Sequence, residues 1–301
     1  MINIILVGCV LSTETALLHL LQKHKNGELC LSGIVTKKKS KFNSDYVNIT
    51  LLAEENNVPV LCWEEYPNEA DIIEWVRSKN PDLIFVIGWS KILGDLWIDC
   101  FRGKLIGFHP SKLPSNRGRH PIIWSIALGL RDTASTFFML NKNVDDGNVL
   151  SQIDIPILYE DDSATIYAKI CKVMVSQIDN IISKNSAIFL DALDAPCEVN
   201  INYWRRRSFD DGEIDWRMPS VGIYNLVRAL RHPYPGAHFF YKDKKITVWR
   251  CEEIEYQENN IEPGKIIDVV RGVVIVKTGS RAVGLVEYDP MFLPIKGEYL
   301  L

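Results

Sequence analysis

The chain has 301 residues, 47% of them hydrophobic and 24% charged, and a formal net charge of −4; this is an ordinary globular composition, long enough for two domains of roughly 100–200 residues each. The mild acidity argues against nonspecific nucleic-acid binding, which runs on clustered positive charge, and no apolar run reaches the ~20 residues that span a bilayer. The seven cysteines (9, 30, 62, 100, 171, 197 and 251) are odd in number and contain no Cys-x-x-Cys pair, which fits a reduced, cytoplasmic protein and offers no zinc spacing.

Residues 1–8 (MINIILVG) lack a basic leader and a small-residue cleavage site, and read as a first buried strand over 2–8. Residues 13–25 carry a helical apolar stripe at Ala16, Leu17, Leu20 and Leu21. The strand exit at Gly8–Thr13 lacks the G-x-G-x-x-G of a dinucleotide site. A second strand is expected over 30–35, a solvated basic loop over 37–41, a helix over 47–56, a short strand over 58–61 and a helix over 69–79. Leu83–Ile87 is a continuous apolar run ending in Gly88, the pattern of a parallel strand buried on both faces. Residues 104–108 form the next strand. This alternation predicts βαβ units and a doubly wound α/β sheet. Ligands gather beyond the carboxyl ends of such strands, which singles out Gly88-Trp89-Ser90 and Gly107-Phe108-His109.

Residues 108–121 (FHPSKLPSNRGRHP) form a stiff loop with three prolines, two arginines and two histidines, of which His109 is the candidate for proton transfer. Strands are expected at 136–140 and 149–155, flanking the turn at Asp145, and a long helix at 163–185. After Pro196 the composition shifts to a polar-aromatic linker containing 203–207 (YWRRR) and 210–216 (DDGEIDW). Trp204 and Trp216 read there as packing residues at a domain junction. A helix at 220–231 and five short strands from 238 to 288 suggest a small β-barrel-like domain. The expected domains are 1–200 and 201–301.

His109 can exchange a proton near neutral pH, and Asp145 could orient it. They are 36 positions apart, so the residues alone also allow a histidine satisfied at a strand end and an Asp-Asp-Gly that is only a hairpin turn. Arg117 and Arg119 suit a phosphate or carboxylate, or a solvated loop. Ser111 lacks the G-x-S-x-G context of a nucleophile.

Several blocks occur in the order of one family. His109–Pro114, Arg117-Gly118, Pro121, Trp124 and Asp145-x-Gly147 resemble the hallmark block of formyltransferases that use a formyl-folate donor. The resemblance extends to Gly88-Trp89-Ser90 upstream, and downstream to Ile214–Trp216, Asn225–Ala229, Pro233–Ala237 and Pro263–Ile266. The last blocks look like the linker and small C-terminal barrel of the methionyl-tRNA and amino-sugar branches. The resemblance implies a Rossmann-like catalytic domain, formyltetrahydrofolate as donor, and no metal. Its histidine falls on His109, for proton transfer and oxyanion stabilisation, and its aspartate on Asp145. It implies folate contacts from Gly88, Trp89, Ser90, Asn143 and Val144.

Arg117, Gly118, Arg119, Arg205 and Tyr234 are expected to hold the acceptor. Residues 117–121 (RGRHP) look closest to the sugar N-formyltransferases. The expected acceptor is therefore a nucleotide-linked amino-dideoxy sugar for surface-glycan biosynthesis, with neither nucleic acid nor membrane as a partner. The sugar branch also implies a homodimer. Methionyl-tRNA formyltransferase and a non-catalytic folate- or nucleotide-binding module are the alternatives. One position departs from the family pattern Asn-x-His: Gly107 stands in place of the asparagine that helps hold the oxyanion. Ser111, Asn116, a backbone N–H or a water could substitute, the reaction could be slower, or catalysis could be lost; the intact remainder favours substitution.

Overall fold

The computed structural model describes residues 1–40, 43–66, 68–184 and 201–300. The expected helix end at Asn185, Cys197 and the expected domain boundary at 200 lie outside them. The chain forms two compact units. One comprises Met1–Gly118, Thr133–Ile155 and Ala168–Trp204, the other Arg119–Asp132, Pro156–Tyr167 and Arg205–Leu301.

In the first unit the expected alternation is present as β1 (Asn3–Val7), α1 (Leu11–Lys25), β2 (Cys30–Thr36), α2 (Thr50–Glu54), β3 (Val60–Cys62), α3 (Glu69–Ser78), β4 (Leu83–Val86), α4 (Asp95–Cys100) and β5 (Leu105–His109). These strands make a parallel sheet in the order β3-β2-β1-β4-β5. Both faces are covered, which explains the unbroken apolar runs. On one face Ile4, Leu6, Phe85 and Ile106 pack with Leu17 and Leu20 of α1 and with Met174 and Ile178 of α6 (Ser163–Ser183). On the other, Ile5, Val7, Ile84 and Val86 meet Ile72 and Val76 of α3 and Trp97 of α4.

Past β5 the sheet changes direction. The two-residue β6 (Arg117–Gly118) leaves it to pair in parallel with β9 (Tyr203–Trp204). Then β7 (Asp132–Met139) runs antiparallel on β5, with Gly107 opposite Phe138 and His109 opposite Thr136, and β8 (Val149–Pro156) closes the edge.

The second unit holds α5 (Pro121–Ala127) and α7 (Ser220–Ala229), which pack together, and a five-stranded antiparallel sheet. Its order is β10-β11-β14-β13-β12, from β10 (Ala237–Tyr241), β11 (Lys244–Ile254), β12 (Ile266–Val270), β13 (Val273–Lys277) and β14 (Ala282–Asp289). Ile223 and Val227 of α7 are buried, as are Val248 and Cys251 of β11, against which the helix lies. Trp216 meets the edge of the Phe239 ring at 5.4 Å. Among the described residues no helix is long and apolar enough to cross a membrane.

Candidate active site

His109 is the last residue of β5 and is buried. Its Nε2 lies 3.0 Å from the carbonyl oxygen of Asn116, which also accepts the Ser111 hydroxyl at 2.9 Å. A carbonyl can only accept, so Nε2 carries a hydrogen. The neutral ring then presents a lone pair at Nδ1, and Nδ1 stands 3.7 Å from Oδ2 of Asp145. A proton taken up at Nδ1 would therefore face a carboxylate across a largely dry gap, since the two side chains are only 8% and 15% exposed. The loop reaches this shape through Asn116, whose φ of 61° is one that asparagine tolerates better than most residues. The Asn116 N–H donates to Oδ1 of Asn202 at 2.8 Å.

The turn after β7 is cross-tied. Asn141 Oδ1 accepts the N–H of Asn143, and Asn143 Nδ2 donates to Oδ2 of Asp146 at 2.9 Å. Asp145 has a φ of 51°, and its Oδ2 accepts the Gly118 N–H at 3.0 Å. Gly147 is required: a Cβ there would sit 1.5 Å from the Met139 carbonyl oxygen. The Asp-Asp-Gly signal is thus both a turn and a carboxylate delivered to a histidine.

Other expected site residues divide into groups. Gly88, Trp89 and Ser90 follow β4, the strand beside β5, at the same sheet end as His109. Gly88 has a φ of 66°, and a Cβ on it would lie 2.1 Å from Val10. Trp89 packs on Trp63 at 5.2 Å, under the Lys37 ammonium, and its buried Nε1 has no partner among the described residues. Ser90 exchanges hydrogen bonds with the Asn43 side chain. Val144 is exposed.

Arg117 is buried rather than presented to solvent. It pairs with Asp146 at 2.6 Å and donates to the Tyr203 hydroxyl at 2.9 Å. The absent asparagine side chain is also accounted for. A Cβ at Gly107 would lie 2.6 Å from Leu140 Cδ2 and 2.8 Å from Phe138 Cζ, so hydrocarbon fills that space.

In the second unit Arg119 is followed by His120, and Arg205 and Arg207 lie over the Trp124 ring at 5.3 and 4.5 Å. Trp124 Nε1 donates to the Arg205 carbonyl at 3.0 Å. Arg205 grips Asp211 with both Nη atoms, and this holds the Asp211 carboxyl well below the usual carboxylate range. Burial, then the charges of Arg207, Arg119 and Arg206, push His120 down to about 4. Tyr234 is half-buried just past α7, with its N–H on the Arg231 carbonyl. No group of three or more His, Cys, Asp or Glu side chains among the described residues could hold a metal ion.

Sequence reasoning missed Asp146, Asn202, Tyr203 and Asn43 as site builders. Asp146 alone had a signal, as the second aspartate of the turn. The other three act through contacts 47 to 86 residues distant, which no local pattern reveals.

Residues 10–179 match the formyl transferase family, and residues 208–291 match the formyl transferase C-terminal domain. The chain belongs to the formyl transferase family. Among its relatives, this formyltransferase is 29% identical over 236 residues to the methionyl-tRNA formyltransferase of Caldanaerobacter subterraneus subsp. tengcongensis, covering 78% of this chain and 75% of that one. It is 30% identical over 237 residues to the bifunctional polymyxin resistance protein ArnA of Wigglesworthia glossinidia brevipalpis, covering 78% of this chain but 35% of that longer one. The fold is also that of the N-formyltransferase of Helicobacter canadensis, solved with folinic acid and dTDP-3-aminofucose. The TM-score is 0.65 and the identity 16%, over 95% of this chain and 99% of that one.

Proposed function

We propose that this formyltransferase moves the formyl group of formyltetrahydrofolate to the amine of a nucleotide-linked amino-dideoxy sugar, in surface-glycan biosynthesis. The observation that carries the reading is His109 Nδ1 facing the Asp145 carboxylate at 3.7 Å, at a buried strand end beside the exit of β4. Formyltetrahydrofolate supplies the activated formyl carbon. Its site is read at the exit of β4, where the buried Trp89 Nε1 is a donor with no acceptor among the described residues, with Gly88, Ser90, Asn143 and Val144 as further contacts. His109 takes the proton that the acceptor amine releases on attack, and Asp145 orients the ring and balances its charge. The proton gained at Nδ1 steadies the oxyanion and then passes to the folate nitrogen as its bond to the formyl carbon breaks and tetrahydrofolate leaves. With Phe138 and Leu140 beside Gly107 and the Ser111 hydroxyl committed to the Asn116 carbonyl, a backbone N–H or the Asn116 side chain takes the missing asparagine's part.

The acceptor reading is supported by Arg119 and Arg205, with Gly118 and Tyr234 as further contacts, in a chain of net charge −4. A diphosphate needs a few cations, whereas tRNA needs a broad basic surface. The Helicobacter canadensis protein was solved with a dTDP amino sugar, which favours the same class. A catalytic domain over 1–200, a C-terminal domain over 201–301, a cytoplasmic location and a homodimer complete the proposal.

The test is formyl transfer from formyltetrahydrofolate to a panel of nucleotide amino sugars, read by mass spectrometry, beside methionyl-tRNA. The expected result is a mass gain of one formyl group on a sugar. Transfer to methionyl-tRNA alone, with a steep loss of binding on adding salt, would establish the second reading, which the 29% identical relative motivates.

A further inference from the structure

We propose that Arg117 is a positioning residue: together with Asp146 and Tyr203 it pins the 141–147 turn to β6 and so holds the Asp145 carboxylate against His109. This rests on reading His109 and Asp145 as the reacting pair. Arg117 was expected to grip the acceptor, but it is 4% exposed and its fork is spent inside the protein. Nη2 meets Asp146 Oδ1 at 2.6 Å, Nη1 donates to the Tyr203 hydroxyl at 2.9 Å, and the guanidinium lies 5.6 Å from the centre of the Tyr203 ring. Nε is buried with no acceptor among the described residues, so the group sits where two partners put it and leaves a third donor unmet.

The register explains why this matters for Asp145. Two successive residues of β6 hold two successive carboxylates of the turn: Arg117 takes Asp146, and the Gly118 N–H takes Asp145. Asp145 itself is weakly held. It accepts that one N–H and stands 3.7 Å from His109 Nδ1, beyond hydrogen-bond distance. Asp146 is gripped from both sides, by Arg117 on Oδ1 and by Asn143 on Oδ2. The strong tie is therefore one residue away from the carboxylate that faces the histidine. A misplacement of about 1 Å at a reacting group costs ~10²-fold in rate, and a planar two-pronged donor fixes a carboxylate in a way an ammonium does not.

Two measurements test this. The first needs no turnover: the Gly118 amide proton, bonded to the Asp145 carboxylate, should resonate downfield and move upfield in Asp145→Asn. Arg117→Met and Asp146→Asn should move it the same way, and Arg117→Lys partly. An unmoved Gly118 resonance in folded Arg117→Met overturns the proposal. Should Arg117→Met fail to fold, Asp146→Asn and Tyr203→Phe give the same reading. The second uses whichever acceptor the wild type formylates. Arg117→Met should lower kcat by about 10–10²-fold with KM within about twofold, and should cost almost nothing further in an Asp145→Asn background. Full additivity with Asp145→Asn overturns the proposal, as does a raised KM with kcat intact, which would return Arg117 to the acceptor. A wild type that formylates no acceptor ends the formyl-transfer reading while the amide result still decides the role of Arg117.

Discussion

Arg117 and Arg205 are each paired with an aspartate, yet the Arg117 side chain is 5% exposed and that of Arg205 64%. In the first unit the guanidinium is buried beside a two-residue strand with an orphaned Nε, so removing Asp146 strands its charge in a dry site. In the second unit Arg205 lies over Trp124 at a mostly exposed position, where an ion pair holds little structure, and with Arg206 and Arg207 beside it the local positive charge can meet an anion. One side chain type thus serves geometry in one place and field in the other.

The contrast can be broken most severely at the histidine. His109→Ala should lower kcat by ~10²–10⁴-fold with the far-ultraviolet spectrum unchanged; turnover near wild type would remove the first unit's site from the chemistry. Next in size is stability. Asp146→Asn should cost about 3 kcal/mol in urea unfolding, whereas Arg205→Ala should cost no more than ~1 kcal/mol. Equal costs would erase the distinction between the two pairs. Smaller again, Arg119→Ala and Arg205→Ala should each raise the KM for a nucleotide sugar about tenfold with kcat unchanged, an effect that fades as salt is added.

The smallest effect is on pH dependence. His120 is held neutral down to about 4, whereas an unfolded imidazole takes its proton near 6.5. The unfolded chain therefore binds the extra proton between those values, and stability falls as pH drops from about 6.5 toward 4. His120→Gln should flatten the Tm profile in that window. An unchanged slope would mean that burial and the arginines around His120 do not shape its titration.

What the residues revealed beforehand follows the range of the forces involved. The apolar runs of β1 and β4 and the stripe of α1 are local, and they stood out because burial on both faces or one face leaves a periodic mark. The short α4 and α5 did not, because six or seven residues give less than two turns of period, and Pro121 at the start of α5 looked like part of a rigid loop. His109 and Asp145 were nameable from their motif. That they face each other was not, since it depends on β7 turning antiparallel and the chain folding back through a left-handed Asp145. The burial of Arg117 was invisible because Tyr203 lies 86 residues downstream, and a charged residue in a polar loop reads as solvated by default.

Gly107 has a consequence for how this site could change by mutation. Its bare Cα lets Phe138 and Leu140 close over β5, so an asparagine there would have to displace a buried aromatic ring. The single substitution Gly107→Asn is therefore expected to be costly, and to become tolerable only once Phe138 and Leu140 have been trimmed. The three positions form an epistatic set: an asparagine at 107 is expected to fit only together with smaller side chains at 138 and 140, so no single substitution reaches it.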